Sequence, residues 1–290
     1  MDEQWTIGGQ WAPDEENISS FEAVPAEPAV IKAHEEMPPQ KPFIWPPRSW
    51  LGAAITIFLI TFLGVPVLLA LPFLLSSLPD IMTGGPEDLS WLNMGYMGWL
   101  MIANSITNFL GFGIVPFLIV RRSWPRPWSV LGLRKDRFWR ILGLGVLSGV
   151  IIFILQAVLS GIISWFAPDG AQSQEILNTL ALTQNAWMRL GLIISIAVLA
   201  PFCEEVFFRG FLYPALTSYC NYRWALLISS AVFALAHGNF TYFPVFLGGG
   251  FALAWLYHKY QNLWLSILAH ATWNTISLLL FFGFQNLAEF

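Results

Sequence analysis

Ile141–Pro168 reads ILGLGVLSGVIIFILQAVLSGIISWFAP, an apolar run without a single ionisable residue, bounded by Arg140 on one side and Asp169 on the other. About 20 consecutive apolar residues carry a helix across the hydrocarbon core of a bilayer, so this stretch can span a membrane once. The whole chain agrees with it. Of its 290 residues 56% are hydrophobic and only 11% charged, and the mean hydropathy is +0.59, whereas an ordinary soluble domain carries about 25% charge. That balance excludes a disulfide scaffold, a soluble dinucleotide-binding enzyme and a nucleic-acid binder. A net charge of −4 argues separately against nucleic acid, because phosphate binding needs a concentrated basic face. Within the run, Gly145 and Gly149 form a small-xxx-small pair suited to close helix packing. Gly143 lends a superficial G-x-G look, but no soluble strand precedes it to make a nucleotide loop.

Working outward, the charges are few enough to place singly. Seven of the 14 basic residues lie in the loop just before this run: Arg121, Arg122, Arg126, Arg134, Lys135, Arg137 and Arg140. The positive-inside rule makes that loop, residues 121–140, cytoplasmic. Nine of the 18 acids lie before residue 40: Asp2, Glu3, Asp14, Glu15, Glu16, Glu22, Glu27, Glu35 and Glu36. With its prolines and no apolar period, residues 1–47 read as a disordered acidic cytoplasmic tail rather than a secretory or transit peptide. Cys203 and Cys220 show no metal-type spacing.

Further uncharged stretches are Ser49–Pro79, Leu89–Val120, Trp224–Tyr257 and Tyr260–Ala288. Trp224–Tyr257 is long enough for two helices, with a break expected at Gly238–Pro244. One more apolar stretch lies between Arg189 and Arg223. The expectation is an all-α polytopic integral membrane protein of about seven to eight transmembrane helices with a polar intramembrane active site. Alternation from a cytoplasmic amino terminus puts 12 of the 14 basic residues inside, Arg223 and Lys259 among them. Trp45, Trp50, Trp124, Trp128, Trp139, Trp187 and Trp224 fall at the expected interfaces, where an indole N–H stays wet. Residues 48–186 then form the amino-terminal helices, 187–284 a catalytic transmembrane region and 285–290 the end.

Ionisable groups in hydrocarbon cost several kcal/mol by most estimates, so each needs a reason. The apolar second half holds Glu204, Glu205, Arg209, His237 and His270. On a helix Glu205 and Arg209 are i,i+4 neighbours with the acid first, the favoured order. Glu204 sits about 100° around the helix and need not share that partner. One carboxylate charge-paired and the next one free is how two acids acquire different roles, which makes Glu204 the candidate general base. His270 and Asn274 are again i,i+4. A base, two imidazoles and an amide on three helices make a set able to activate water and hold an oxyanion.

These residues also carry a resemblance. Glu204-Glu205-Val-Phe-Phe-Arg209-Gly210, Phe233-Ala-Leu-Ala-His237 and His270-Ala-Thr-Trp-Asn274 resemble, in order, the three motifs of the CPBP intramembrane endopeptidases. That family holds the type II CAAX prenyl proteases and the Abi-like, bacteriocin-processing proteins. The resemblance covers roughly Trp187–Leu280. It implies that Glu204, assisted by His237, activates water, that His270 and Asn274 bind the oxyanion, and that Glu205 and Arg209, with Phe233 of the second motif, support the site. Glu204, His237 and His270 would also make a His₂Glu zinc set. No H-E-x-x-H helix is present, and the resemblance favours a glutamate-dependent mechanism without metal.

The expected function is therefore an intramembrane endopeptidase acting on a membrane-associated protein or lipidated peptide, with lipid and no nucleic acid as its surroundings. A non-catalytic membrane scaffold or immunity protein of the same fold is one alternative. A proton-coupled transporter is another, although no second copy of the Glu-Glu-x-x-x-Arg pattern suggests repeated halves.

Overall fold

The computed structural model describes residues 49–64, 67–68, 71, 105–135, 137–166, 180, 183 and 185–288, with side chains as far as Gly283. The acidic tail of residues 1–47, the loop near 80–88 and the segment 169–179 lie outside the described residues. The described chain is helical, with no strand among its residues. The helices are α1 (Ser49–Gly64), α2 (Val115–Ser123), α3 (Pro127–Val130), α4 (Phe138–Phe166), α5 (Ala186–Thr217), α6 (Tyr222–Leu235), α7 (Phe243–Tyr260) and α8 (Leu263–Ala288).

Three of them are long and apolar enough to cross a membrane: Phe138–Phe166, Ala186–Thr217 and Leu263–Gly283. α1 and α6 are shorter apolar helices. The expected Ser49–Pro79 and Leu89–Val120 spans fall partly outside the described residues. On α4, Leu147, Ile151, Ile154, Val158 and Ile162 are all exposed. So large an uncovered apolar face suits contact with acyl chains and is rare on a soluble monomer.

Proline shapes the helix that matters most. Its ring displaces the i−4 carbonyl and it offers no N–H, so the turn before it tends to widen. In α5 the segment Ser195–Leu199 precedes Pro201, and Val206–Leu212 precedes Pro214; both are π-helical. The π segment Phe109–Ile114 leads into Pro116 at the start of α2 in the same way. All seven residues of Val206–Leu212 are buried. Around them Phe112 stacks on Phe207 with ring centroids 4.6 Å apart, and Trp50 on Phe211 at 4.7 Å. The amino-terminal helices thus form an aromatic wall against the segment carrying Arg209.

The expected break at Gly238–Pro244 is present. α6 ends at Leu235, Gly238 takes φ +66°, and α7 starts at Phe243. Asn221 caps α6, accepting from the backbone N–H of Arg223 and Trp224, and Asn185 caps α5 through Met188 N–H. Each such cap contributes about 1 kcal/mol. Gly145 and Gly149 do serve close packing, against α8. A Cβ on Gly145 would lie 2.6 Å from Leu268 Cβ, and one on Gly149 would lie 2.5 Å from the Ala269 carbonyl oxygen.

The basic groups gather at one end of the helices. Tyr222, beside Arg223, stacks on His258, beside Lys259, at 4.6 Å. The N–H of Leu263, four residues beyond Lys259, donates to the Gly132 carbonyl of the basic loop at 2.8 Å.

Candidate active site

α5 brings Glu204, Glu205 and Arg209 to the interior, α6 ends in the turn that presents His237, and α8 supplies His270 and Asn274. Glu205 and Arg209 are fully buried and joined by a 2.7 Å ion pair. A charge-assisted bond of that length lies in the strong range. Arg209 Nη2 also donates to the Gly250 carbonyl of α7 at 2.8 Å, and its guanidinium lies 4.5 Å from the Phe233 ring centroid. Such a pair holds only while both members are present, because a lone buried charge is expensive.

His270 stands between the two carboxylates. Its Nδ1 lies 2.9 Å from Glu205 Oε1, and its Nε2 lies 3.9 Å from Glu204 Oε2. Glu205, neutralised by Arg209, can only accept, so Nδ1 carries the hydrogen and Nε2 faces Glu204. The 3.9 Å gap exceeds a hydrogen bond. Glu204 Oε2 itself is buried and has no hydrogen-bond partner, whereas the Glu204 side chain as a whole stays 18% exposed. The two adjacent acids therefore sit in the unequal environments that their spacing suggested: Glu205 is bonded twice, and Glu204 keeps an open oxygen.

His237 enters the cluster through Phe233. Its Nδ1 lies 2.9 Å from the Phe233 carbonyl, which can only accept, leaving Nε2 as the free ring nitrogen. The Phe233 ring centroid lies 4.7 Å from that of His237 and 5.7 Å from that of His270. Phe233 is thus the shared wall of Arg209 and both histidines. Behind it a Cβ on Gly250 would come within 2.9 Å of the ring, so only glycine lets α7 approach so closely.

Asn274 is placed differently from the other three residues. Its Nδ2 donates to the Ile196 carbonyl at 2.9 Å. In the π segment the Ala200 N–H donates five residues back, to Ser195. The Ile196 carbonyl would next require an N–H from position 201, which is proline. Asn274 supplies that missing donor and ties α8 to α5, while its second N–H stays available.

Two neighbours were not singled out from sequence. Trp273, inside the third motif, stacks on His270 at 5.4 Å. Gln156 of α4 is buried with neither carboxamide atom partnered, and a Cβ on Gly249 would meet both its Nε2 and the Trp273 ring. A carboxamide inside an otherwise apolar span is itself a signal for interhelical contact. As for zinc, no three His, Cys, Asp or Glu side chains converge on a common point among the described residues.

Comparison with known proteins bears out the resemblance. Residues 185–276 match the family described as "Type II CAAX prenyl endopeptidase Rce1-like". The chain is 28% identical over 174 residues to the "Putative membrane peptidase YdiL" of Bacillus subtilis (strain 168), covering 59% of this chain and 68% of that protein. It is 29% identical over 155 residues to "UPF0177 protein YxdF" of Lactococcus lactis subsp. lactis (strain IL1403), covering 50% of this chain and 81% of the relative. It is 36% identical over 87 residues to "UPF0177 protein YaiF" of the same strain, covering 30% and 38%. No solved structure matches the chain significantly.

Proposed function

We propose that the chain is an intramembrane endopeptidase that hydrolyses a peptide bond of a membrane-associated protein or lipidated peptide, in the manner of CAAX processing. One observation carries the reading. Of two adjacent carboxylates, Glu205 is bonded through Oε1 to both Arg209 and His270, while Glu204 bonds to neither and has its Oε2 3.9 Å from His270 Nε2. That is the arrangement of a fixed positioning group beside a free base.

In this mechanism Glu204 takes a proton from water as the water oxygen bonds to the scissile carbonyl carbon. The carbonyl electrons move to oxygen, and the second N–H of Asn274, together with Nε2–H of His270 in its imidazolium form, held beside Glu205, stabilises that oxyanion. Collapse breaks the C–N bond, and the proton passes from Glu204 to the leaving amine. His237, with Nε2 free, assists the water. Glu205 and Arg209 position His270 without touching the substrate. Water activation is assigned to carboxylate and imidazole rather than to zinc.

The reading includes seven to eight spans with a cytoplasmic amino terminus. Clustering of Arg223, Lys259 and the basic loop at one end of the helices supports that side as the cytoplasmic one.

The test compares new peptide N-termini, proteome-wide, in cells carrying the wild-type chain or Glu204→Gln at matched abundance. Termini that vanish in the variant identify the substrates and the base together. If no terminus is lost even on deletion of the whole chain, although that deletion has a phenotype, a non-catalytic scaffold replaces the peptidase. If termini that are lost on deletion persist at wild-type levels in Glu204→Gln, the base is another residue.

A further inference from the structure

The basic loop forms a cleft, and its construction goes beyond loose surface charge. Its volume is about 950 Å³, and Arg121, Arg126, Arg134 and Lys135 line it together with Trp124 and Trp128. Among the described residues no carboxylate pairs with any of those four cations. Four like charges around one concavity repel one another, so the cleft is complementary to an anion. The aromatic walls are fixed: Trp128 is stacked on Phe117 at 4.2 Å, and Trp124 sits edge-on to Trp50 at 5.0 Å.

The loop is also clamped to the rest of the protein. Leu263 N–H donates to the Gly132 carbonyl, and Asn262 Nδ2 donates to the Arg134 carbonyl at 3.3 Å. Gly132 takes φ +88°, and the Tyr257 ring occupies the place of a Cβ, so no other residue fits this turn without strain. Leu131 packs on the motif helix: a Cβ on Gly210 would lie 3.0 Å from the Leu131 carbonyl oxygen. The loop that carries the cations is therefore braced, through Leu131, against Gly210, the residue after Arg209.

We propose that this cleft binds the headgroup of an anionic phospholipid. Guanidinium groups match phosphate oxygens bidentately. What selects a lipid over free phosphate is the surface leading to the cleft. Leu118, one turn before Arg121 and Arg122, and Val115, a turn further, are exposed on α2. Acyl chains lie along that apolar face while the phosphate enters the cleft and the tryptophans meet the ester region between them. The positive-inside rule assigns the cleft to the cytoplasmic leaflet, where anionic lipid attracts basic groups. The site stands independently of whether the chain cleaves a peptide.

Native mass spectrometry of the purified full chain tests it, titrating phosphatidylglycerol against phosphatidylcholine, with inorganic phosphate as competitor. The wild-type chain binds phosphatidylglycerol in preference to phosphatidylcholine. Arg126→Gln, Arg134→Gln and Lys135→Gln each weaken that binding about fivefold, and the triple variant about a hundredfold. Arg223→Gln/Lys259→Gln, which removes two exposed cations from the same end but outside the cleft, leaves it within about twofold. Arg126, Arg134 and Lys135 are each exposed, so one folded single variant suffices if the triple one does not accumulate. Equal binding of the two lipids overturns the proposal, as does an equal loss in the Arg223/Lys259 control. Displacement of phosphatidylglycerol by inorganic phosphate at comparable concentration makes the cleft a phosphate site and also overturns it.

Discussion

Replacing Arg209 with methionine removes the guanidinium while keeping much of the side chain's apolar volume. Three contacts go with it: the 2.7 Å pair with Glu205, the 2.8 Å bond to the Gly250 carbonyl, and the packing 4.5 Å over Phe233. Glu205 keeps only His270 as a partner, and its second oxygen already has none. Breaking a fully buried pair by removing one member costs about 3–5 kcal/mol, most of it from the charge left behind. At about 2–4 °C per kcal/mol for a domain of this size, the melting temperature falls on the order of 10 °C. If the stranded charge is the cause, removing it as well reverses much of the loss. Glu205→Gln/Arg209→Met, which can still accept from His270 Nδ1, should melt within a few degrees of the wild type. The assay is thermal unfolding of both variants in the same detergent. A single variant that melts like the wild type, or a double variant that falls as far as the single one, refutes the reasoning.

Gly149→Ala puts a methyl 2.5 Å from the Ala269 carbonyl oxygen, next to His270, and should push α4 and α8 apart. A misplacement of roughly 1 Å costs about 100-fold in rate, while Gly143→Ala, with nothing within 4 Å, should leave cleavage unchanged; equal activities would detach α4 from the site. Asn274→Leu leaves the Ile196 carbonyl without its donor and should destabilise by about 1–3 kcal/mol. Adding Pro201→Ala restores a backbone N–H, so the double variant should melt above Asn274→Leu, and a lower melting point would reject the missing-donor explanation. Purified protein should hold zinc well below one equivalent and keep its activity through chelation; stoichiometric metal required for turnover would overturn the carboxylate–imidazole mechanism.

The motif residues were legible because each is out of place in an apolar chain. Spacing alone paired Glu205 with Arg209, since i,i+4 neighbours meet on any helix. The break after Leu235 and the Gly145–Gly149 packing face were legible for similarly local reasons: Gly238 favours a positive φ, and small residues permit close approach. Asn274 shows where local reasoning stops. Its spacing placed it beside His270 on one helix, but its amide is directed at Ile196, and the reason lies in Pro201 on another helix. Trp273 and Gln156 escaped notice because an aromatic or a carboxamide in a span does not announce which helix it faces.

The sequence by itself determined that the chain is helical and apolar, that its basic groups congregate, and that one carboxylate of the pair has a cation within reach. Those are properties of composition and of the helical period, which tertiary packing does not alter. Only the tertiary structure decided that His270 bonds Glu205 and stands beside Glu204, that Phe233 walls Arg209 and both histidines together, and that the basic loop is clamped to Gly210 and Leu263. Each of these joins residues far apart in the chain, and the contact forms because widened turns before prolines and missing side chains at glycines let particular helix faces meet.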